Sequence, residues 1–263
     1  MSVVILEGKV VHYEVLGRGR PIFFLHSWIG SWRYWLPAMQ AAANSFRSYA
    51  LDLWGFGDTT HDHAVYSIDD QVSLVSRFKL ALGVGKVALV GHGLGALAAL
   101  QLALEIPGSV DRLMLVDAPV SPALLAERLR SPGSFTELVD WLTGKEDFFE
   151  PARTDALKAD PLAISSSLEG LHRLDIMNFM DSSLIPCLMI YGQDDPAVQP
   201  MDDERVASGS PLIHQLILEG SGHFPMLDGP ARFNRLMLDF LALDSGDSPR
   251  ELMLKDEWKR RVR

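Results

Sequence analysis

The pentapeptide Gly91-His92-Gly93-Leu94-Gly95 stands between an apolar run, Lys86–Val90, and a segment with helical spacing, Leu94–Glu105. A strand–turn–helix corner of this kind is the setting of a nucleophile elbow, because the flanking glycines permit the sharp turn and close strand–helix packing. The middle residue is Gly93, however, and covalent catalysis from that position needs an activatable oxygen or sulfur. Glycine is at home there sterically. The elbow conformation costs a residue with a Cβ about 1–3 kcal/mol, and Gly93 relaxes that strain.

Other reactive groups are scattered. Cys187 is the single cysteine, so no intrachain disulfide is possible, and its run Cys187-Leu188-Met189-Ile190 marks it as a buried small hydrophobe. The histidines have no metal-ligand spacing, and no G-x-x-x-x-G-K-[ST] loop occurs, so neither metal nor cofactor is expected.

The elements that must carry this corner alternate along the chain. Val3–Leu6 and Val10–Val15 form a β-hairpin pattern, and Ile22–Leu25 is a continuous apolar run suited to a buried parallel strand. Tyr49–Leu53, Lys86–Val90, Arg112–Val116, Cys187–Tyr191 and Leu212–Leu218 are further strands. Ser67–Leu82, Leu94–Glu105 and Ala231–Leu241 have helical periodicity. The alternation predicts an α/β fold: a mostly parallel, twisted sheet of about eight strands with helices on both faces.

The rhythm breaks between about Ser121 and Ser183, a helix-rich stretch with periodic segments near Ala123–Leu129, Phe135–Leu142 and Leu162–Leu171. An insertion after the sixth strand, beside the C-terminal strand ends, would cover the ligand crevice there as a lid. The expected division is therefore a core over 1–120 and 184–243, a helical lid over 121–183, and a polar tail over 244–263. That tail ends in a basic amphipathic stretch, for which a solvated end is expected over a docked one.

The net charge of −10 and pI near 5.2 argue against a nucleic-acid surface. No apolar window is long enough to span a membrane, and the N-terminus lacks the features of a secretory signal. A cytoplasmic protein, monomeric or homodimeric, is expected.

Five loops then resemble the α/β-hydrolase superfamily in order. Leu25-His26-Ser27-Trp28-Ile29-Gly30-Ser31 is similar to its His-Gly loop after the third strand, and Asp52-Leu53-Trp54-Gly55-Phe56-Gly57-Asp58 to the loop after the fourth. The elbow follows, then Gly192-Gln193-Asp194-Asp195-Pro196 as acid loop and Gly222-His223-Phe224-Pro225 as histidine loop. The resemblance implies Asp195 as the acid, with Asp117 as substitute, and His223 as the base. It also implies an oxyanion hole from the backbone N–H groups of Trp28 and Leu94. His92, His61, His63, His172 and His214 are expected to be structural or at the surface.

This sequence departs from the family pattern twice. Ser27 stands where the family commonly has glycine, and Gly93 where it has its nucleophile. Ser27 and Ser31 are not expected to substitute, since Ser27 lies on the oxyanion loop rather than the elbow. The resemblance thus implies a carboxylic-ester or lactone hydrolase, strongly impaired in acyl-enzyme chemistry. Its ligand would be a small apolar ester-like molecule bordered by His26, Ser27, His92, Phe148, Phe149, Met177 and Phe179. On this reading, restoring serine at position 93 raises ester turnover. The alternatives are a non-catalytic small-molecule binder and a nucleophile-independent His/Asp base enzyme of lyase or cofactor-free oxygenase type.

Overall fold

The computed structural model describes residues 2–130, 134–171, 175–244 and 246–252. The elements in chain order are β1 (Ser2–Leu6), β2 (Lys9–Gly17), β3 (Arg20–Leu25), α1 (Leu36–Ala42), β4 (Phe46–Leu51), α2 (Ile68–Ala81), β5 (Val87–His92), α3 (Leu94–Glu105) and β6 (Val110–Val116). The inserted segment holds α4 (Glu127–Arg130), α5 (Phe135–Thr143), α6 (Glu150–Ala156), α7 (Pro161–Glu169) and α8 (Ile176–Ser182). β7 (Cys187–Gly192), α9 (Asp203–Ser208), β8 (Ile213–Leu218), α10 (Pro225–Asp228) and α11 (Pro230–Ala242) complete the fold.

The eight strands form one sheet in the order β1-β2-β4-β3-β5-β6-β7-β8. β1 and β2 pair antiparallel, as does β2 with β4, and every other pair is parallel. The run Ile22-Phe23-Phe24-Leu25 is fully buried because β3 is central and covered on both sides. Phe23 packs edge-on against Phe78 of α2 at 5.2 Å, while Phe24 meets Trp35, which in turn reaches Phe233 of α11. Alternate residues of one strand thus anchor helices on opposite faces. α2 begins with a capping box between Ser67 and Asp70, which satisfies the first N–H groups of the helix.

The order in which strands are added reverses between β3 and β5. β3 is followed by its neighbour β4 on one side, and the chain then crosses to β5 on the other. Open α/β sheets bind ligands outside the strand C-termini at such a switch point. The register there pairs Leu25 with Gly91, so the loop residues Ser27 and Gly93 each lie two positions beyond a paired residue.

Periodicity overextended one insertion helix. Ala123–Leu129 is in fact a short 3-10 turn at Pro122–Leu124 followed by α4. The described part of the tail is docked: the Arg250 guanidinium donates to the carbonyls of Ile213 at 2.9 Å, Val206 at 3.0 Å and Ser210 at 3.1 Å. His172 and the basic stretch beyond Leu252 lie outside the described residues.

Candidate active site

At the end of β5 the chain turns through Gly93 with φ 50° and ψ −109°, a conformation in which an L side chain is strained. The turn is held from both sides. Gly93 N–H donates to Val116 O at 2.9 Å, and Gly95 N–H donates to His26 O at 3.0 Å, tying the start of α3 to the loop after β3. A Cβ at Gly95 would lie 2.5 Å from the Leu25 carbonyl carbon, so only glycine lets helix and strand approach this closely.

The loop after β3 is clasped by His26. Leu53 N–H donates to its Nε2 at 2.9 Å, which leaves the proton on Nδ1 to donate to Ser27 O at 2.7 Å. Burial pushes the His26 pKa down, and the ring is a neutral brace between two loops. Ser27 N–H donates to the Tyr34 hydroxyl at 2.8 Å, which in turn donates to His92 Nδ1 at 3.0 Å. His92 therefore carries its proton on Nε2, 3.9 Å from Asp117 Oδ2. Burial, aided by the neighbouring His223, holds His92 far below the ordinary histidine range.

His223 and Asp195 meet across two loops. His223 Nδ1 donates to Asp195 Oδ2 at 2.9 Å, and Asp195 Oδ1 accepts from Ala197 N–H at 2.7 Å; both side chains are buried. Asp117 sits beside this pair but is not the partner of Nδ1. Its Oδ1 accepts from Gly192 N–H at 2.9 Å. Burial, then the charge of Asp195, pushes its carboxyl well above the usual range. The far nitrogen of His223, Nε2, faces Ser27 Oγ at 3.4 Å.

That contact differs from the expectation that Ser27 would stand off the line to His223. The parallel register of β3 and β5 brings Ser27 against Gly93 so closely that a Cβ at Gly93 would overlap Ser27 Oγ outright. It would also meet Ser27 Cβ at 3.0 Å and the Trp28 ring at 2.9 Å. Ser31, in contrast, is committed elsewhere, with its hydroxyl donating to Asp155 at 2.6 Å.

The inserted segment leans on the same loop. Trp28 Nε1 donates to Ser167 Oγ of α7 at 3.1 Å. Asp155 of α6 accepts from Ser31 and Arg33 and pairs with Lys158 at 3.2 Å. Burial would raise the Asp155 pKa, but these three partners outweigh it and hold the carboxyl below its usual range. Phe149 reaches the site through Phe224, 6.1 Å away, whose ring stands 5.2 Å from His223 and 5.1 Å from His92. Phe148 stacks on Phe149 and is half exposed, as is Met177.

Phe179 does not join this group. It lines a cleft with Ala103, Leu104 and Pro107, some ten residues along α3 from the elbow, or roughly 15 Å at helical rise. Tyr34, Asp155 and Ser167 were not singled out in the sequence, since none lies in a recognisable motif, and Phe224 entered only as part of the histidine loop.

Among the described residues, two clusters place ligand-type atoms within 4.8 Å of one another: His92, Asp117 and His223, and His12, Asp52 and Asp58. In the first, burial pushes the Asp117 carboxyl up and the His92 imidazole down, and His92 Nε2 lies 3.9 Å from Asp117 Oδ2. In the second, Asp52 is already occupied by His12 Nδ1 and by the N–H groups of Trp32 and Asp58.

Comparisons with known proteins agree with this architecture. The model of the alpha/beta hydrolase family matches residues 22–236. A putative carbamate hydrolase RutD of Stutzerimonas stutzeri is 26% identical over 260 residues, covering 90% of this chain and 98% of the relative. The RutD of an Escherichia coli O139:H28 strain is 28% identical over 246 residues, covering 84% and 91%. Among solved structures, a thermophilic esterase from Thermogutta terrifontis superposes with a TM-score of 0.76 at 23% identity, covering 91% of this chain and 96% of the esterase. N-acyl homoserine lactonase AidH, complexed with N-butanoyl homoserine, gives 0.78 at 18% identity, covering 93% and 99%. Among the described residues, no helix is long and apolar enough to cross a membrane.

Proposed function

The chain belongs to the α/β-hydrolase family, and we propose that it hydrolyses a small, largely apolar carbonyl compound with His223 as its base. The substrate is of carboxylic-ester, lactone or carbamate type. The observation that carries this is the buried Asp195–His223 hydrogen bond of 2.9 Å, with the far nitrogen turned to the seam between Ser27 and Gly93. Asp195 fixes the imidazole tautomer so that Nε2 is a lone-pair acceptor. Nε2 then takes the proton of the attacking hydroxyl and returns it to the leaving oxygen.

The N–H groups of Trp28 and Leu94 are suited to the negative charge that grows on the carbonyl oxygen, with the positive end of α3 beside them. Position 93 makes no covalent bond to the substrate. The segment 121–183 acts as a lid, a role supported by the Trp28–Ser167 and Ser31–Asp155 contacts that seat α7 and α6 on the oxyanion loop. The names of the similar proteins, a carbamate hydrolase, an esterase and a lactonase, share attack of an oxygen on a carbonyl carbon.

The test is turnover of a panel of p-nitrophenyl esters, lactones and aryl carbamates by wild type and by His223→Ala. Wild-type turnover that the variant loses by about 10³-fold or more is the expected result. Equal, background-level rates for both proteins across the panel refute the reading.

A further inference from the structure

We propose that Ser27 is the nucleophile of this site, the serine having changed places with the glycine across the β3–β5 seam. The inference rests on the hydrolase reading above and deepens it. The family pattern has glycine after the loop histidine and the nucleophile at the elbow; here the two residue types are exchanged, as His26-Ser27-Trp28 and His92-Gly93-Leu94. The two positions are not independent. β3 and β5 are parallel neighbours in register Leu25 to Gly91, which sets residues 27 and 93 side by side.

A Cβ at Gly93 would overlap Ser27 Oγ and crowd Ser27 Cβ, so the seam holds one such side chain and not two. The hydroxyl of Ser27 thus occupies the volume an elbow side chain would fill, with His223 Nε2 at 3.4 Å. That is long for a hydrogen bond, as catalytic contacts often are before substrate binds. The Ser27 backbone is fixed from both ends, its N–H donating to Tyr34 and its carbonyl accepting from His26. The side chain is thereby aimed from a rigid loop. The exchange preserves the inventory of the site: one hydroxyl, and the N–H groups of the residues that follow each exchanged position, Trp28 and Leu94.

The step balances without any further reagent than water. Ser27 Oγ bonds to the substrate carbonyl carbon as its proton passes to His223 Nε2, and the carbonyl π pair moves onto oxygen. Collapse of this adduct breaks the bond to the leaving oxygen, which takes the proton from His223. Water, deprotonated by His223, then attacks the acyl carbon, and the released Ser27 oxygen regains its proton.

The experiment treats the full chain with the serine-directed phosphate triester diethyl p-nitrophenyl phosphate and maps the label by peptide mass spectrometry. p-Nitrophenyl butyrate turnover is followed in parallel for wild type, Ser27→Ala, Gly93→Ser and the double variant Ser27→Gly/Gly93→Ser. The expected label is stoichiometric, lies on Ser27, and is lost in His223→Ala. Ser27→Ala should fall by at least about 10³-fold. Gly93→Ser alone should lose turnover, because it displaces the Ser27 hydroxyl. The double variant should recover turnover, with the label moving to the peptide that carries position 93.

Labelling of wild type needs no variant to fold, and circular dichroism verifies the variants. If Ser27→Ala keeps the turnover that His223→Ala loses, or the label maps elsewhere, the Ser27 assignment is overturned while the hydrolase reading stands. If wild type neither turns over an acyl substrate nor takes the label, both fall.

Discussion

Among the described residues, two buried histidine–carboxylate hydrogen bonds through Nδ1 have nearly the same length and quite different surroundings. His223 meets Asp195 at 2.9 Å and His12 meets Asp52 at 2.8 Å, each through Nδ1. Asp52 also accepts from Trp32 N–H at 2.9 Å and Asp58 N–H at 3.1 Å, and the far nitrogen of His12 faces the Glu14 carboxylate at 3.5 Å. Asp195 accepts from Ala197, and the far nitrogen of His223 faces a hydroxyl at the switch point of the sheet. The first arrangement joins β2 to the loop after β4. The second turns its far ring nitrogen to the Ser27 hydroxyl beside Gly93. A short His–carboxylate bond is therefore not what marks a base; the group opposite the other nitrogen is.

Variants that sharpen this contrast can be ordered by size. Asp195→Asn should lower ester turnover by roughly 10⁴-fold with little change in unfolding midpoint, since an amide stabilises the wrong imidazole tautomer. Asp52→Ala should act on stability instead. It strands two N–H groups and a buried imidazole, and a loss of about 3–5 kcal/mol is expected in urea unfolding, with turnover per folded molecule near wild type.

The smallest effect is in pH. Burial lowers the His12 pKa, but the hydrogen bond to Asp52 and its charge outweigh that and leave it above the ordinary value. The pair's contribution is therefore complete below the unfolded pKa, about 6.5, and is lost as pH rises through the higher folded value. The stability difference between wild type and His12→Gln, measured by urea unfolding, should shrink from pH 6 to pH 9. A difference that grows over that range would reverse the assignment.

Much of this was legible in the residues. The alternating apolar runs located all eight strands, and the loop order pointed to His223 and Asp195 before any geometry was known. What could not be read was the lateral register of the parallel strands. Nothing in Leu25–Trp28 or in Gly91–Gly95 states that β3 and β5 are neighbours, so the sequence does not show that Ser27 and Gly93 lie against each other. For the same reason, the sequence does not show that a side chain at 93 would meet the Ser27 hydroxyl and the Trp28 ring.

Helical periodicity likewise identifies a buried face without naming what covers it. Phe149 approaches Phe224, while Phe179 packs at the distant end of α3. The short helices α1, α6, α8 and α9 are too brief for periodicity to stand out. Tyr34 and Asp155 act through contacts between segments far apart in the chain.

The central claim is that His223 is the base of a hydrolytic site and His12 is a structural counterpart. It is tested most directly by kcat/KM for p-nitrophenyl butyrate in matched His223→Gln and His12→Gln variants, each normalised to its folded fraction. The account predicts a loss of about 10³-fold or more for His223→Gln and a value close to wild type for His12→Gln. Comparable losses in both, or activity retained in His223→Gln, would contradict it.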